Sequence, residues 1–211
     1  IAIGDDSGEV FENHLRKYNS IKRIKNITSI NVLEKTINLD TLIVSFHRSN
    51  ATPWKASGFS SEEIKIISKL AKNKTLILDL FVKPYALSAL ESIKGIDVLL
   101  LSYQNSKASQ KLSVDGLFGA QRLNGSLPVD VSESYQEGAG IDQNIIYRTG
   151  YASAISLGFD SNKLNSIDEL AQAAIDSIMT PGMRVLLLRK GKIFYDKNFG
   201  YHTYEKKRKV Q

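Results

Sequence analysis

The chain has no cysteine among its 211 residues, so neither a disulfide nor a thiolate metal site is available to it. Proline occurs only four times and tryptophan once, which leaves long stretches free to run as regular helix or strand. No apolar run approaches the roughly 20 residues that cross a bilayer, so no membrane span is expected. Histidine is limited to His14, His47 and His202. None of the three is spaced against another histidine or a carboxylate pair in the way metal ligands are. Absent too are the P-loop lysine, the dinucleotide-binding glycine spacing, the GxSxG elbow and an SxxK pair. Gly4-Asp5-Asp6-Ser7-Gly8 stands where a phosphate loop would, between strand and helix, but its two acids would repel a phosphate and it reads as a plain turn. No metal and no cofactor is expected, and no convergent carboxylate pair suited to glycoside cleavage can be named.

What is present is an ordinary globular composition, 42% hydrophobic and 24% charged, enough to bury a real core. The net charge of +6 belongs to one end: residues 189–211 hold eight Lys/Arg against two acids, while residues 1–188 are balanced. A nucleic-acid binder spreads its cations over a docking face, so nucleic acid is not an expected partner. The run at 205–210 (EKKRKV) reads as a solvated stretch rather than a targeting cluster. His14, on a helix stripe, reads as a core-edge residue.

Periodicity lays out alternating elements. Ile1–Gly4 ends a strand. Residues 9–18 form a helix capped by Ser7. Residues 21–27 alternate apolar and basic, as an edge strand with one wet face does, and residues 30–38 make a short helix. The apolar runs DTLIVSF (40–46) and KTLILDLF (74–81) read as central strands, and DVLLL (97–101) as a third buried strand. Ser60 and Glu63 form a capping box for a helix to about Asn73, with Ile64, Ile67, Leu70 and Ala71 as its buried stripe. Pro84 opens a helix to Ile93, and residues 105–118 form another. This rhythm predicts an α/β fold: a mostly parallel sheet flanked by helices, an α/β sandwich. Leu127–Val131 reads as a short strand. Further on, residues 161–178 form a long amphipathic helix, followed by a hairpin of 184–189 and 193–199 about Lys190-Gly191-Lys192. One helix and one hairpin cannot close a core, so 160–211 is expected to be the start of an incomplete second domain. The opening Ile1-Ala2-Ile3-Gly4 reads as half a strand, so the chain is expected to be a fragment whose targeting signal lay upstream.

One loop stands out for function. Residues 47–59 (HRSNATPWKASGF) leave the C-terminal end of a central strand, the side where open α/β sheets place ligands. His47, Arg48 and Trp54 are the candidate substrate-proximal residues, with Asn50 and Lys55 beside them. The plainer reading makes this a packing loop whose Trp54 fills an interface.

Two segments carry family likeness. DGLFGAQRLNGSLPVDVSESYQEGAGI (115–141) resembles the closing motif of the C-terminal α/β sandwich domain of family 3 glycoside hydrolases, through its Leu-Phe-Gly, Gly-x-Leu-Pro-Val and Gly-x-Gly. FVKPYAL (81–87) resembles that domain's asparagine-proline-tyrosine turn, with Lys83 in place of the asparagine. LGFDSNKLNSIDELAQAAIDSIMTPGMRVLLLRKGKIFYDKNFGYHTYE (157–205) is similar to the start of serine β-lactamase-like domains, whose nucleophile lies beyond this chain's last residue. The resemblance divides the chain into a sandwich domain (1–145), a linker (146–159) and a truncated β-lactamase-like part (160–211). It implies an extracytoplasmic bacterial parent of the β-N-acetylglucosaminidase type acting on glycans, those derived from peptidoglycan included. Its barrel domain, absent here, is the implied partner and the carrier of catalysis and substrate. No family catalytic residue maps onto this chain. The alternative expectation is a stand-alone carbohydrate-binding or protein-interaction module using the 47–59 loop.

Overall fold

The computed structural model describes residues 1–49, 58–143 and 148–211. They divide into two compact units, Ile1–Ile146 and Tyr147–Gln211. The first is an α/β sandwich, as its alternating pattern predicts.

Four strands, β1 (Ala2–Gly4), β2 (Thr41–His47), β3 (Thr75–Phe81) and β4 (Ile96–Leu101), make one sheet in the order β1-β2-β3-β4. All neighbours are parallel, with Ala2 beside Ser45 and Thr41 beside Thr75. Because side chains alternate along a strand, β2 and β3 each present two different faces. Leu42, Val44, Phe46, Leu76, Leu78 and Leu80 enter one wholly apolar core with Ile66, Ile67 and Leu70. The opposite face carries Ile43, Ser45, His47, Ile77, Asp79 and Phe81 in the same register, and a second, smaller cluster forms there around Phe11, Leu15, Phe81 and Val114.

Helix α3 (Ser61–Asn73) covers the dry face. Its predicted capping box is present: Glu63 N donates to Ser60 Oγ (3.3 Å), and Ser60 N to Glu63 Oε2 (2.7 Å). Helices α1 (Glu9–Leu15) and α4 (Lys107–Leu117) cover the mixed face. Helix α2 is a single turn (Val32–Lys35), shorter than the predicted 30–38, because Thr36 Oγ1 donates back to Val32 O (2.7 Å) and competes with the next helical bond.

Several expectations need correction. Residues 21–27 form no strand; Ile21 and Ile24 pack inward against the two cores, which accounts for the apolar spacing without any ladder. The segment after Pro84 is a 3-10 helix (Pro84–Leu90) rather than an α-helix, and Leu87 and Leu90, three apart, share its buried side. Strand β4 is an edge of the sheet and not a buried strand: Val98 is 40% exposed and its leucines are half-buried. Leu127–Val131 pairs with no strand and is instead tied into a loop by Leu127 N to Ala139 O and Val131 N to Tyr135 O, 2.8 and 2.9 Å. Gly8, at φ +65, stands at the α1 cap in place of Ser7.

The second unit has a three-stranded sheet in the order β5-β7-β6, from β5 (Gly150–Tyr151), β6 (Gly182–Arg189) and β7 (Lys192–Gly200). The predicted hairpin is antiparallel, and its turn holds Lys190 and Gly191 at φ +50 and +71, the left-handed pair that suits a two-residue hairpin loop. The predicted 161–178 helix is divided: a 3-10 turn (Asn162–Leu164) leads into α5 (Asn165–Asp176). Asp168 of α5 accepts from Tyr195 Oη and Lys197 Nζ of β7, both at 2.5 Å. Ala154, Ala171 and Tyr195 are its only buried hydrophobic residues among those described, while Leu186 and Leu188 stand 44% and 49% exposed.

Gly4 holds φ +102 at the end of β1, where an added Cβ would lie 2.0 Å from His47 O. Gly4→Ala is therefore expected to destabilise the protein by about 2–3 kcal/mol, read as a lower urea midpoint at unchanged m-value.

Candidate functional site

The C-terminal ends of the parallel strands bring together the β1–α1 turn, the end of β2 and the segment before α4. The side chain of His47 does not follow its loop outward. It is fully buried on the mixed face, stacked on Phe81 (4.8 Å between centroids) and edge-on to Phe11.

Its protonation state follows from the chain of partners. Asn105 Nδ2 donates to Asp6 Oδ2 (3.1 Å), which turns Asn105 Oδ1 toward His47 Nδ1 (2.9 Å). Gln110 Nε2 donates to the same Oδ1 (2.7 Å), while Gln110 Oε1 accepts from Phe11 N (3.0 Å). An accepting oxygen requires the proton on His47 Nδ1, so Nε2 keeps its lone pair. That Nε2 is buried and has no hydrogen-bond partner among the described residues. It lies against Gly8, where an added Cβ would come within 3.0 Å of it. Burial, more than anything else, holds the His47 imidazole below its ordinary pKa, against the raising effects of Asn105 and Asp6. Burial alone would raise Asp6, but the bonds it accepts from Gly8 N, Asn105 and Gln110 hold it below the usual carboxylate range. The array is a clasp that orients two turns and two helices. The imidazole of His47 presents no atom to solvent.

Arg48 is likewise committed. It pairs with Glu63 Oε2 (2.5 Å) and lies 3.6 Å from Asp5 Oδ1, it donates to Gly58 O, and its guanidinium sits 4.3 Å over the Phe46 ring. Trp54, with Asn50 and Lys55, lies outside the described residues. Of the three sequence candidates, then, His47 and Arg48 are neighbours whose side chains serve opposite faces of β2. His14 is a buried residue bound to Asp115 (2.6 Å), which also accepts from Tyr18 Oη.

Asp79 is the most deeply placed acid. It is fully buried in β3 and accepts from Ser102 Oγ (2.8 Å) and from Ser113 Oγ. Burial pushes its carboxyl up to about 6, against these bonds. Among the described residues no group of three or more His, Asp or Glu is placed to hold a metal ion.

Two cavities border the sheet. One, of about 500 Å³, lies between α1 and the starts of β1 and β2, with Phe11, Leu15, Ile43 and Ser45 on its walls. The other, about 790 Å³, runs along the edge strand β4. Its walls come from β4, from α4 and from the stretches 121–127 and 139–143. Tyr103 stands at its mouth in the left-handed region (φ +57), inside a tight turn closed by Gln104 N on Ser102 O (2.7 Å). Sequence reasoning missed this groove because its residues come from separate segments. The signal that was there is the run of three leucines in β4, too apolar for a strand with an open edge.

Compared with protein-family models, with curated proteins and with solved structures, the chain matches none. Among the described residues no helix is long and apolar enough to cross a membrane.

The raised pKa of Asp79 has a definite sign. Folding favours its protonated form, so its contribution to stability is complete below the unfolded value near 3.8 and is lost as pH rises through about 6. Asp79→Asn removes that dependence. The unfolding free energy of the native protein minus that of the variant is expected to be about 2 kcal/mol larger at pH 4.5 than at pH 7.5, measured by urea unfolding at both.

Proposed function

We propose that the first unit is a non-catalytic accessory domain of a glycosidase acting on β-N-acetylglucosaminides, outside the bacterial cytoplasm, and that its partner is the catalytic barrel of the same parent chain. The observation that carries this reading is the state of the strand-end acids. At the C-terminal ends of the strands, Asp5 faces Arg48 and accepts from Ser49 N, and Asp6 is shared by Gly8, Asn105 and Gln110; at the opposite end Asp97 accepts from Leu76 N, and mid-strand Asp79 is sealed in the interior. Glycoside cleavage needs an acid and a second carboxylate facing one another across an open sugar site. At the ligand-binding end of this sheet the acids are spent on holding loops. The glycosidase assignment itself rests on the resemblance of 81–87 and 115–141 to the sandwich domain, and the acetamido-sugar substrate on the same likeness. The stand-alone module built on the 47–59 loop has less support, since its Arg48 is already engaged by Glu63.

This chain is expected to release no chromophore from an aryl N-acetyl-β-glucosaminide, whereas a longer chain carrying the upstream region does. Turnover by the 211-residue chain that persists through repurification and is abolished by His47→Ala would overturn the reading.

A further inference from the structure

Helix α5 ends in a cap whose residues are poorly chosen for capping alone. Ile178 N donates to Ile175 O (3.0 Å) and Met179 N to Ala174 O (2.9 Å), the paired bonds that accompany a left-handed residue at a helix end. Glycine ordinarily takes that left-handed position, and the side chain after it ordinarily packs back on the helix. Here Ile178 takes it, at φ +58, where a β-branched residue is strained, and its side chain is 71% exposed. Met179 beside it is 77% exposed. Two large aliphatic side chains are thus kept in water where glycine would cost less.

Residues 201–210 return to this cap. Tyr204 Oη donates to Ile178 O (3.0 Å) and Tyr201 N to Pro181 O (2.8 Å). His202 N to Arg208 O (2.8 Å) and Val210 N to Gly200 O (3.2 Å) close the segment into a loop. That loop carries Lys206, Lys207, Arg208 and Lys209 against Glu205 alone, all of them exposed. Lys207 pairs with Glu205 at 2.6 Å, and the other three cations have no acidic partner among the described residues.

Cations beside exposed aliphatics and a half-exposed tyrosine suit an anionic lipid surface. We infer that this end of the second unit docks on an anionic phospholipid bilayer, with Ile178 and Met179 inserted among the headgroups and residues 206–209 held over lipid phosphates. Reversible attachment needs buried apolar area together with attraction to anionic headgroups. Tyrosine favours the headgroup level, and the Tyr204 hydroxyl is already bonded, so its ring enters without a bare donor. Nucleic acid would use the cations but gain nothing from Ile178 and Met179, which neither pair nor stack with bases. The hairpin tip at Lys190 is also basic, but it lies about 25 Å from Gly200 along β7, well beyond the screening length at physiological salt.

The inference does not rest on the glycosidase reading. The 211-residue chain is sedimented with vesicles of phosphatidylcholine containing about 30% phosphatidylglycerol, and with phosphatidylcholine alone. The expected result is saturable binding to the anionic vesicles, about tenfold or more weaker on the neutral ones, and lost at about 0.5 M NaCl. Lys206→Asn should lower the partition about fivefold, and Lys190→Asn less than about twofold; both positions are left-handed, which asparagine suits. Met179→Ser should lower it about fivefold. Ile178→Gly separates docking from folding: it should leave the urea midpoint unchanged or higher, because glycine relieves the strain, while weakening vesicle binding about tenfold. A merely structural role for Ile178 would leave vesicle binding unmoved. No saturable binding to anionic vesicles, equal binding to neutral ones, an unchanged partition in Ile178→Gly, or an equal loss in Lys190→Asn would each overturn the inference. So would tighter binding to a DNA duplex of about 20 base pairs than to the vesicles. The accessory reading is untouched by any of these and falls only on hydrolysis by this chain.

Discussion

The carboxylate of Asp6 must satisfy a backbone amide, two side-chain amides and, through one of them, a buried imidazole. That requirement governs the whole mixed face of the sheet. Gly8 is drawn into the left-handed region so that its amide can reach Asp6, which sets where α1 begins. Asn105 is held out of α4 by its bonds to Asp6 and His47, and Ser106 becomes the cap instead, accepting from Ser109 N (3.1 Å). Gln110, one turn into α4, reaches Phe11 N of α1 and so couples the two helices. Without the network, the His47 imidazole would be sealed under two helices with neither nitrogen bonded, at a cost of about 1–3 kcal/mol.

The two faces of β2 and β3 do different jobs for this reason. The dry face obeys shape alone, and α3 could tolerate many aliphatic exchanges there. The mixed face obeys hydrogen-bond geometry, so its residues are less exchangeable. The ordinary hydrophobic core thus supplies stability, and the polar face supplies the exact placement of the turns at the ligand-binding end. The same division separates the two units: the first has two buried clusters, whereas in the second Asp168 ties helix to strand, and Leu170, Ile178, Leu186 and Leu188 stand exposed.

Much of this was legible in the chain. The apolar runs of β2 and β3, the Ser60–Glu63 box and the Lys190-Gly191 turn are local signals, and the structure follows them. Other features depend on distant partners. The run DVLLL looks as buried as β3, and only the order of strands reveals it as an edge. Asn105 reads as helix, because nothing nearby shows that Asp6 and His47, far back in the chain, claim its side chain. Residues 127–131 carry a strand composition but find loop partners at 135–139. His47 was picked from its position at a strand end, and its inward aim comes from strand parity and from the room left by Gly8. The groove was invisible for the same reason, since β4, α4 and the stretches 121–127 and 139–143 line one cavity only after the chain has folded back on itself.

The all-parallel ladder also constrains the order of events on the ribosome. No strand of the first sheet can zip against a neighbour through a tight turn; Ala2 must wait for Ser45, and Thr41 for Thr75. Among the described strands, β1 has no partner in this sheet until β2 emerges. Parallel pairing across such separations is slow, so during synthesis the apolar runs of β2 and β3 pass through a period without cover. The hairpin of the second unit, closed by two residues, can form as soon as it leaves the exit tunnel, ahead of some of the chain that precedes it.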